Sequence, residues 1–203
     1  MIKAIVFDIG GVILRTEDPS IRKELSQKYG LQREELEDRV FNSSAAQAST
    51  IGQVREEAVW QNIAEKLDLP PEAIEDFKDS FWAGDRLDQD LVDFLQNSRR
   101  EYATALLSNA WDGIRSQLEE KYGIKEGQTV DHILISSELG VAKPDPKIYR
   151  ILADILLCEF QEILFVDDFI ENVIAARELG IQAIHYQSGM NLISKINHRL
   201  NQN

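Results

Sequence analysis

Short apolar runs at regular intervals are the feature that most limits how this chain can fold. The sequence predicts buried β-strands at residues 2–7, 103–107, 132–135, 163–166 and 181–185. Segments of helical periodicity, at residues 111–122, 146–156 and 170–179, separate the last four strands. Strands that alternate with helices over short loops are typical of a parallel sheet with right-handed crossovers. We therefore expect an α/β fold with a doubly wound, Rossmann-like parallel sheet.

The stretch between the first two predicted strands has a different pattern. Residues 16–86 contain no convincing strand and predict four helices, at residues 19–29, 33–41, 53–67 and 72–81. Asp18-Pro19 is a typical helix start, and Pro70-Pro71 separates the third helix from the fourth. Because ligands bind beyond the carboxyl ends of strands, we expect residues 16–86 to form an all-helical cap over a core of residues 1–15 and 87–203.

Charge and cysteine content narrow the range of partners and locations. Acidic residues outnumber basic ones by 35 to 22, which gives a formal net charge of −13. Such a chain is not expected to bind nucleic acid or an anionic membrane through its overall charge. One cysteine permits no internal disulfide, and no apolar run has the length of a membrane span or a secretory signal. We expect a cytoplasmic protein with neither a nucleic-acid nor a membrane partner; the sequence does not indicate its oligomeric state.

Polar residues follow the predicted strands where a ligand would bind. Asp8 follows the first strand, Ser108 and Asn109 the second, and Asp167 and Asp168 the fourth, while Lys143 lies in the loop beyond the third. The carboxyl ends of parallel strands meet at one edge of a sheet, so we expect these side chains to converge in one crevice.

Three converging carboxylates repel one another unless a cation neutralises them. Mg²⁺ prefers oxygen ligands and accepts the oxygens of a substrate phosphate, while a lysine supplies a compact positive charge for a phosphoryl group. The serine hydroxyl and the loop N–H groups are further donors for such a group. A carboxylate at the first strand end can also attack phosphorus and form an aspartyl-phosphate. The residues therefore predict phosphoryl transfer with Mg²⁺ as the cofactor.

The segments VFDIGGV, ALLSNAWD, GVAKPDPKIY and LFVDDFIEN resemble the four motifs of the haloacid dehalogenase-like hydrolase superfamily, and the insertion resembles its C1-type cap. The resemblance covers essentially the whole chain and implies a magnesium-dependent hydrolase, usually of phosphomonoesters. By position it implies Asp8 as the nucleophile and Lys143 as the charge-stabilising lysine. It implies Ser108 and the Asn109 backbone as phosphate donors. It also implies Asp168 as a direct metal ligand, Asp167 as a ligand through water, and Asn172 as a residue that supports the metal loop.

One position departs from the pattern of the superfamily's phosphatases. The residue two after their nucleophile is usually a second aspartate that protonates the leaving oxygen, and here it is Gly10. Gly10 can still offer its backbone carbonyl to the metal, as that residue does in the superfamily. A general acid contributes about 10²–10⁴ in rate. Without one at position 10, we expect the enzyme to act on stable leaving groups, to use an acidic residue from another part of the chain, or to be slow. Glu17 and Asp18, at the start of the insertion, are candidates for a borrowed acid, although Asp18 is better explained as a helix cap.

Two other functions remain open at this stage. A dehalogenase that hydrolyses carbon–halogen bonds also uses an attacking aspartate, but it needs no metal and so gives no reason for Asp167-Asp168. A binding protein could retain this fold and lack the chemistry, since fold alone does not fix function. We expect a hydrolase of a small phosphorylated metabolite, with sugar phosphates slightly favoured because similar glycine-bearing relatives act on them.

Overall fold

The computed structural model describes residues 1–201 and contains the expected parallel sheet. The strands are β1 (Ala4–Phe7), β2 (Leu14–Thr16), β3 (Asp85–Leu87), β4 (Ala103–Ser108), β5 (His132–Ile135), β6 (Ile163–Asp167) and β7 (Gln182–His185). Five of them form the central sheet in the order β5-β4-β1-β6-β7, and every neighbouring pair is parallel. The predicted α/β fold and all five predicted core strands are confirmed.

Helices cover both faces of this sheet. They are α1 (Pro19–Lys28), α2 (Arg33–Phe41), α3 (Ser44–Thr50), α4 (Glu56–Lys66), α5 (Ile74–Trp82), α6 (Gln89–Ser98), α7 (Ile114–Glu120), α8 (Ser136–Leu139), α9 (Pro146–Leu156), α10 (Ile170–Glu178) and α11 (Leu192–Leu200). On one face, α6, α7 and α11 pack against apolar residues that include Ile5 and Phe7. On the other, α9 and α10 pack against Val6 and Phe165. Strands buried on both sides explain why the predicted strands were continuous apolar runs.

The sequence prediction differs from the structure at four helices outside the insertion. It did not include α6, α8 or α11, and it began α7 at residue 111 rather than at Ile114. Trp111 lies in the loop before α7 because its ring packs against aromatic residues of the insertion instead of joining a helix. Gly113, with φ +89°, then makes the left-handed turn from which α7 starts.

The insertion has an apolar core of its own, built by α1, α2, α4 and α5. It includes Leu36, Trp60 and Phe81. For residues 16–86, the prediction of four helices and no strand is wrong in its details. The structure adds α3 and a 3₁₀ turn at Pro71–Ala73, begins the third predicted helix at Glu56, and pairs β2 with β3 as an antiparallel ribbon. The α3 segment, SAAQAST, has no large apolar residue to give it a period, and each ribbon strand is too short to show alternation.

The ribbon joins the insertion to the sheet domain, since β2 leads into the insertion and β3 leads out of it. A buried ion pair reinforces it: Arg22 Nη2 lies 2.9 and 3.0 Å from the two carboxylate oxygens of Asp85. Arg22 Nε also donates to the carbonyl of Phe81 at 2.9 Å. No helix within residues 1–201 is both long and apolar enough to cross a membrane.

Two leucines, one in the middle of α9 and one just beyond the helix, test the packing of this helix on the sheet. Leu152 is completely buried, whereas Leu157, just beyond the helix, is 90% exposed. Leu152→Ala should lower the free energy of unfolding by about 2–5 kcal/mol, because it leaves a cavity. Leu157→Ala should change it by less than about 0.5 kcal/mol. Chemical denaturation measures both, and equal losses would contradict this packing.

Candidate active site

The three central strands place acidic and hydroxyl groups at one edge of the sheet. Asp8 directly follows β1, Ser108 ends β4, and Asp167 ends β6. The register pairs Phe7 with Leu106 on one side and with Val166 on the other, so all three strands end at nearly the same level. Asp8 therefore lies at the centre of this edge, because β1 is the middle strand of the sheet.

Three carboxylates converge there. Asp8, Asp167 and Asp168 each offer an oxygen within 4.8 Å of the others. Burial, with repulsion from Asp167 and Asp168, raises the pKa of Asp8 to about 7, although Lys143 opposes the shift. Burial and the neighbouring Asp167 raise the pKa of Asp168 to about 6. Burial is the largest cause of both shifts, and repulsion between the neighbouring carboxylates adds to it.

Lys143 is the one cation that contacts this cluster within residues 1–201. Its buried Nζ lies 2.9 Å from Asp8 Oδ1 and 2.7 Å from Asp167 Oδ2, and it donates to the carbonyl of Leu107 at 2.9 Å. Burial disfavours the charged ammonium, but the two carboxylates outweigh it and raise the pKa of Lys143. The lysine therefore stays protonated and holds Asp8 and Asp167 in fixed positions.

The two adjacent aspartates have different surroundings. Besides Lys143, Asp167 accepts a hydrogen bond from the Phe169 N–H at 2.8 Å, and Asn172 Nδ2 lies 3.1 Å from both of its oxygens. By contrast, Asp168 Oδ1 is buried and has no hydrogen-bond partner among the described residues. These contacts favour Asp168 over Asp167 as the carboxylate that binds a ligand directly.

Asn109 connects the loops that carry Ser108 and Lys143. Its side-chain Nδ2 donates to the backbone carbonyl of Lys143, and its Oδ1 accepts from the backbone N–H of Lys143, each at 2.8 Å. The sequence suggested a role for the Asn109 backbone and did not anticipate this use of its side chain. Ser108 is buried at the end of β4, beside these loops. The amide pair fixes the backbone from which the lysine enters the cluster.

Gly11, which sequence reasoning did not select, is required for the position of Asp168. Its φ is +73°, and a Cβ on it would lie only 2.0 Å from Asp168 Oδ2. No side chain fits there, so the glycine admits the carboxylate. A Cβ on Gly10 would have no heavy atom within 4 Å. In the sequence, the signal that could have indicated this close approach is the Gly10-Gly11 pair after Asp8.

The insertion contacts the loop that follows Ser108. Asp112 Oδ1 accepts a hydrogen bond from the Glu56 backbone N–H at 2.7 Å, at the start of α4. The ring of Trp111 lies 5.8 Å from that of Trp60 and 6.3 Å from that of Phe41. The helical insertion is thus tied to one of the loops that form the site.

Glu17 and Asp18, the two candidates for a replacement general acid, have other partners. Asp18 caps α1, where hydrogen bonds from the Ser20 side chain and backbone lower the pKa of Asp18. Glu17 pairs with Arg15 at 2.9 Å. A carboxyl group of lowered pKa is a poor proton donor at neutral pH, which disfavours Asp18 as the acid.

The cluster fits a hard divalent cation. It offers carboxylate oxygens alone, one of which is buried without a partner, and Mg²⁺ prefers such ligands. Three carboxylates beside one ammonium also leave about two negative charges for a dication to neutralise.

Comparisons with known proteins agree with this fold and site. The family model described as haloacid dehalogenase-like hydrolase matches residues 2–180. The chain therefore belongs to the haloacid dehalogenase-like hydrolases.

Several characterised relatives are similar over different lengths. The chain is 26% identical to the D-ribitol-5-phosphate phosphatase of Bacteroides thetaiotaomicron, over 93% of this chain and 94% of that protein. It is also 26% identical to the sesquiterpene phosphatase astK of Aspergillus oryzae, over 90% and 89%. The match to mouse bifunctional epoxide hydrolase 2, at 31% identity, covers 42% of this chain and only 16% of that relative.

Solved structures share the fold at low identity. A haloacid dehalogenase-family enzyme from B. thetaiotaomicron, crystallised with magnesium and inorganic phosphate, has a TM-score of 0.77 and 22% identity, over 94% of this chain and 97% of that one. The L-2-haloacid dehalogenase of Xanthobacter autotrophicus has a TM-score of 0.65 and 18% identity, over 98% and 83%.

Replacing each glycine of the pair by alanine tests the close approach of Gly11 to Asp168. Gly11→Ala should lower the free energy of unfolding by about 1 kcal/mol or more, because alanine is strained at this φ and its Cβ collides with Asp168. Gly10→Ala, which meets no neighbour, is the matched control and should cost less than about 0.5 kcal/mol. Thermal and chemical unfolding in a chelator measures both; equal stabilities would refute the proposed fit.

Proposed function

We propose that this protein is a Mg²⁺-dependent phosphatase that hydrolyses the monoester of a small phosphorylated metabolite through an aspartyl-phosphate on Asp8. The observation that carries the proposal is the position of Asp8. It lies between a lysine 2.9 Å away and the unpartnered carboxylate oxygen of Asp168, at the edge of the sheet where ligands bind.

Asp8 performs the first chemical step. Lys143 Nζ and the Ile9 N–H both contact Oδ1, which fixes the carboxylate and leaves Oδ2 as the oxygen we assign to the attack. Oδ2 forms a bond to phosphorus as the bond from phosphorus to the ester oxygen breaks, and the departing alkoxide takes a proton from water. Water then attacks the phosphorus of the aspartyl-phosphate, which releases inorganic phosphate and regenerates Asp8.

The remaining site residues bind the phosphoryl group and the cation. Lys143 stabilises charge on the transferring oxygens, and the Ser108 hydroxyl and the Asn109 backbone N–H donate to them. Asp8, Asp168 and the Gly10 carbonyl would hold Mg²⁺ directly, Asp167 would hold it through water, and Asn172 supports Asp167. When bound, Mg²⁺ would neutralise the carboxylates and polarise the phosphate oxygens.

The relatives support this reaction class. Two phosphatases match this chain over about nine-tenths of their lengths, and one of them acts on D-ribitol-5-phosphate. A polyol or sugar phosphate is therefore the preferred expectation for the substrate. The third carboxylate of the cluster gives no advantage to a metal-free attack on carbon, so it disfavours a dehalogenase.

A panel of phosphate esters assayed with Mg²⁺ tests the proposal. The wild-type protein should release inorganic phosphate, and a chelator should abolish the release because the carboxylates repel an anionic substrate without the cation. Asp8→Asn should reduce turnover at least about 10³-fold, since the amide is not a nucleophile.

Two results would contradict this function. Undiminished turnover by Asp8→Asn would place the reaction elsewhere or in a contaminant. Release of halide from 2-haloacids in the presence of the chelator would instead identify a dehalogenase.

Lys143→Ala, which also removes a charge from the cluster, should reduce turnover while retaining its Mg²⁺ requirement.

The absence of an acidic side chain at Gly10 makes a separate prediction about leaving groups. The space around Gly10 admits a side chain, so Gly10→Asp can present a carboxyl group two residues beyond the nucleophile. It should increase kcat on an alkyl phosphate by about 10-fold or more, within the range of general-acid catalysis. An aryl phosphate, whose leaving group needs little protonation, should gain much less.

Gly10→Asn is the control for this variant, because it has the same shape without an acidic proton. A gain on the alkyl phosphate with Asp but not with Asn would assign it to proton donation. No gain with either variant would show that proton transfer to the leaving group does not limit the wild-type enzyme.

A further inference from the structure

His185 lies at the same edge of the sheet as the carboxylates. It ends β7, and the sheet register pairs it directly with Asp167 on β6. Its ring Nε2 is 2.9 Å from the backbone carbonyl oxygen of Asp168. A carbonyl oxygen can only accept, so Nε2 must carry the hydrogen and donate it.

The side chain of Asp168 has fewer contacts to hold it than the side chain of Asp167 has. The side chain of Asp167 is fixed by Lys143, by the Phe169 N–H and by Asn172. The side chain of Asp168 lacks comparable contacts, since its Oδ1 has no partner among the described residues. The direction of this carboxylate therefore depends strongly on the peptide that carries it.

We propose that His185 is a positioning residue for the metal site. By donating to the Asp168 carbonyl, it holds the start of the β6–α10 loop so that the Asp168 carboxylate faces Asp8. Gly11 limits the position of the same carboxylate directly, at the close approach described above. This inference rests on the proposed function for the identity of the cation.

Residues that orient metal ligands through a hydrogen bond commonly change metal affinity when they are replaced. Their effect reaches the metal through the ligand's geometry, so it is expected in binding as well as in turnover. His185 does not need to touch the cation or the substrate to have this effect.

The test measures binding of MgCl₂ alone to the full chain, by calorimetry and by the rise in Tm that the salt produces. His185→Ala should weaken Mg²⁺ binding by about 10–100-fold. His185→Gln, whose amide nitrogen replaces Nε2 as a donor, should return the affinity to within about 3-fold of wild type. His185→Asn, whose amide is too short to reach the carbonyl, should resemble His185→Ala.

Gln182→Ala is a matched control at the other end of β7, because Gln182 also donates from its side chain to a backbone carbonyl, that of Gln161. It should leave Mg²⁺ affinity unchanged. The inference is overturned if His185→Ala binds Mg²⁺ as tightly as wild type, if glutamine rescues no better than asparagine, or if the wild-type chain does not bind Mg²⁺. Binding that follows the predicted order without hydrolysis of any ester would refute the phosphatase while leaving the role of His185 intact.

Discussion

The concentration of negative charge at one edge of the sheet is the constraint on which the rest of the structure depends. Lys143 compensates part of it by contacting Asp8 and Asp167, while Asp168 keeps a buried oxygen without a described partner. An arrangement of this kind is unfavourable for a protein alone and favourable for one that binds a dication and an anionic ester. The surrounding contacts act together to keep these carboxylates close despite their repulsion: the Asn109 amide pair, the Asn172 side chain and the glycine at position 11.

The helical insertion is linked to this charge through the loop after β4. The loop follows Ser108, the last residue of β4. Within it, Trp111 packs among the aromatic rings of the insertion, and Asp112 accepts a hydrogen bond from the start of α4. A few residues therefore connect the proposed phosphate-binding group with the helical insertion. At the base of the insertion, β2 leads in and β3 leads out, and these two strands pair with each other. The buried Arg22–Asp85 ion pair reinforces this pairing.

Local pattern accounts for what could be predicted from the sequence. The core strands are continuous apolar runs because both faces of each are buried, and the site residues follow them because parallel strands end together. The missed features depend on residues far apart in the chain. The β2–β3 ribbon pairs positions about seventy residues apart, Gly11 matters because of Asp168, and the Asn109 side chain matters because of Lys143. The contact of His185 was not predicted from the sequence, since its partner, Asp168, directly follows the neighbouring strand of the sheet.

The sequence by itself determined the α/β sheet, the helical character of the insertion, and the candidate site residues that follow the strands, because these depend on local periodicity and on where the strands end. Tertiary structure alone decided how those residues differ from one another. Three groups hold the side chain of Asp167, whereas one oxygen of the Asp168 side chain has no partner among the described residues. His185 lies within hydrogen-bond distance of the backbone carbonyl of Asp168. The physical reason is that hydrogen bonds and close contacts depend on distances between strands, which a linear pattern of residues does not contain.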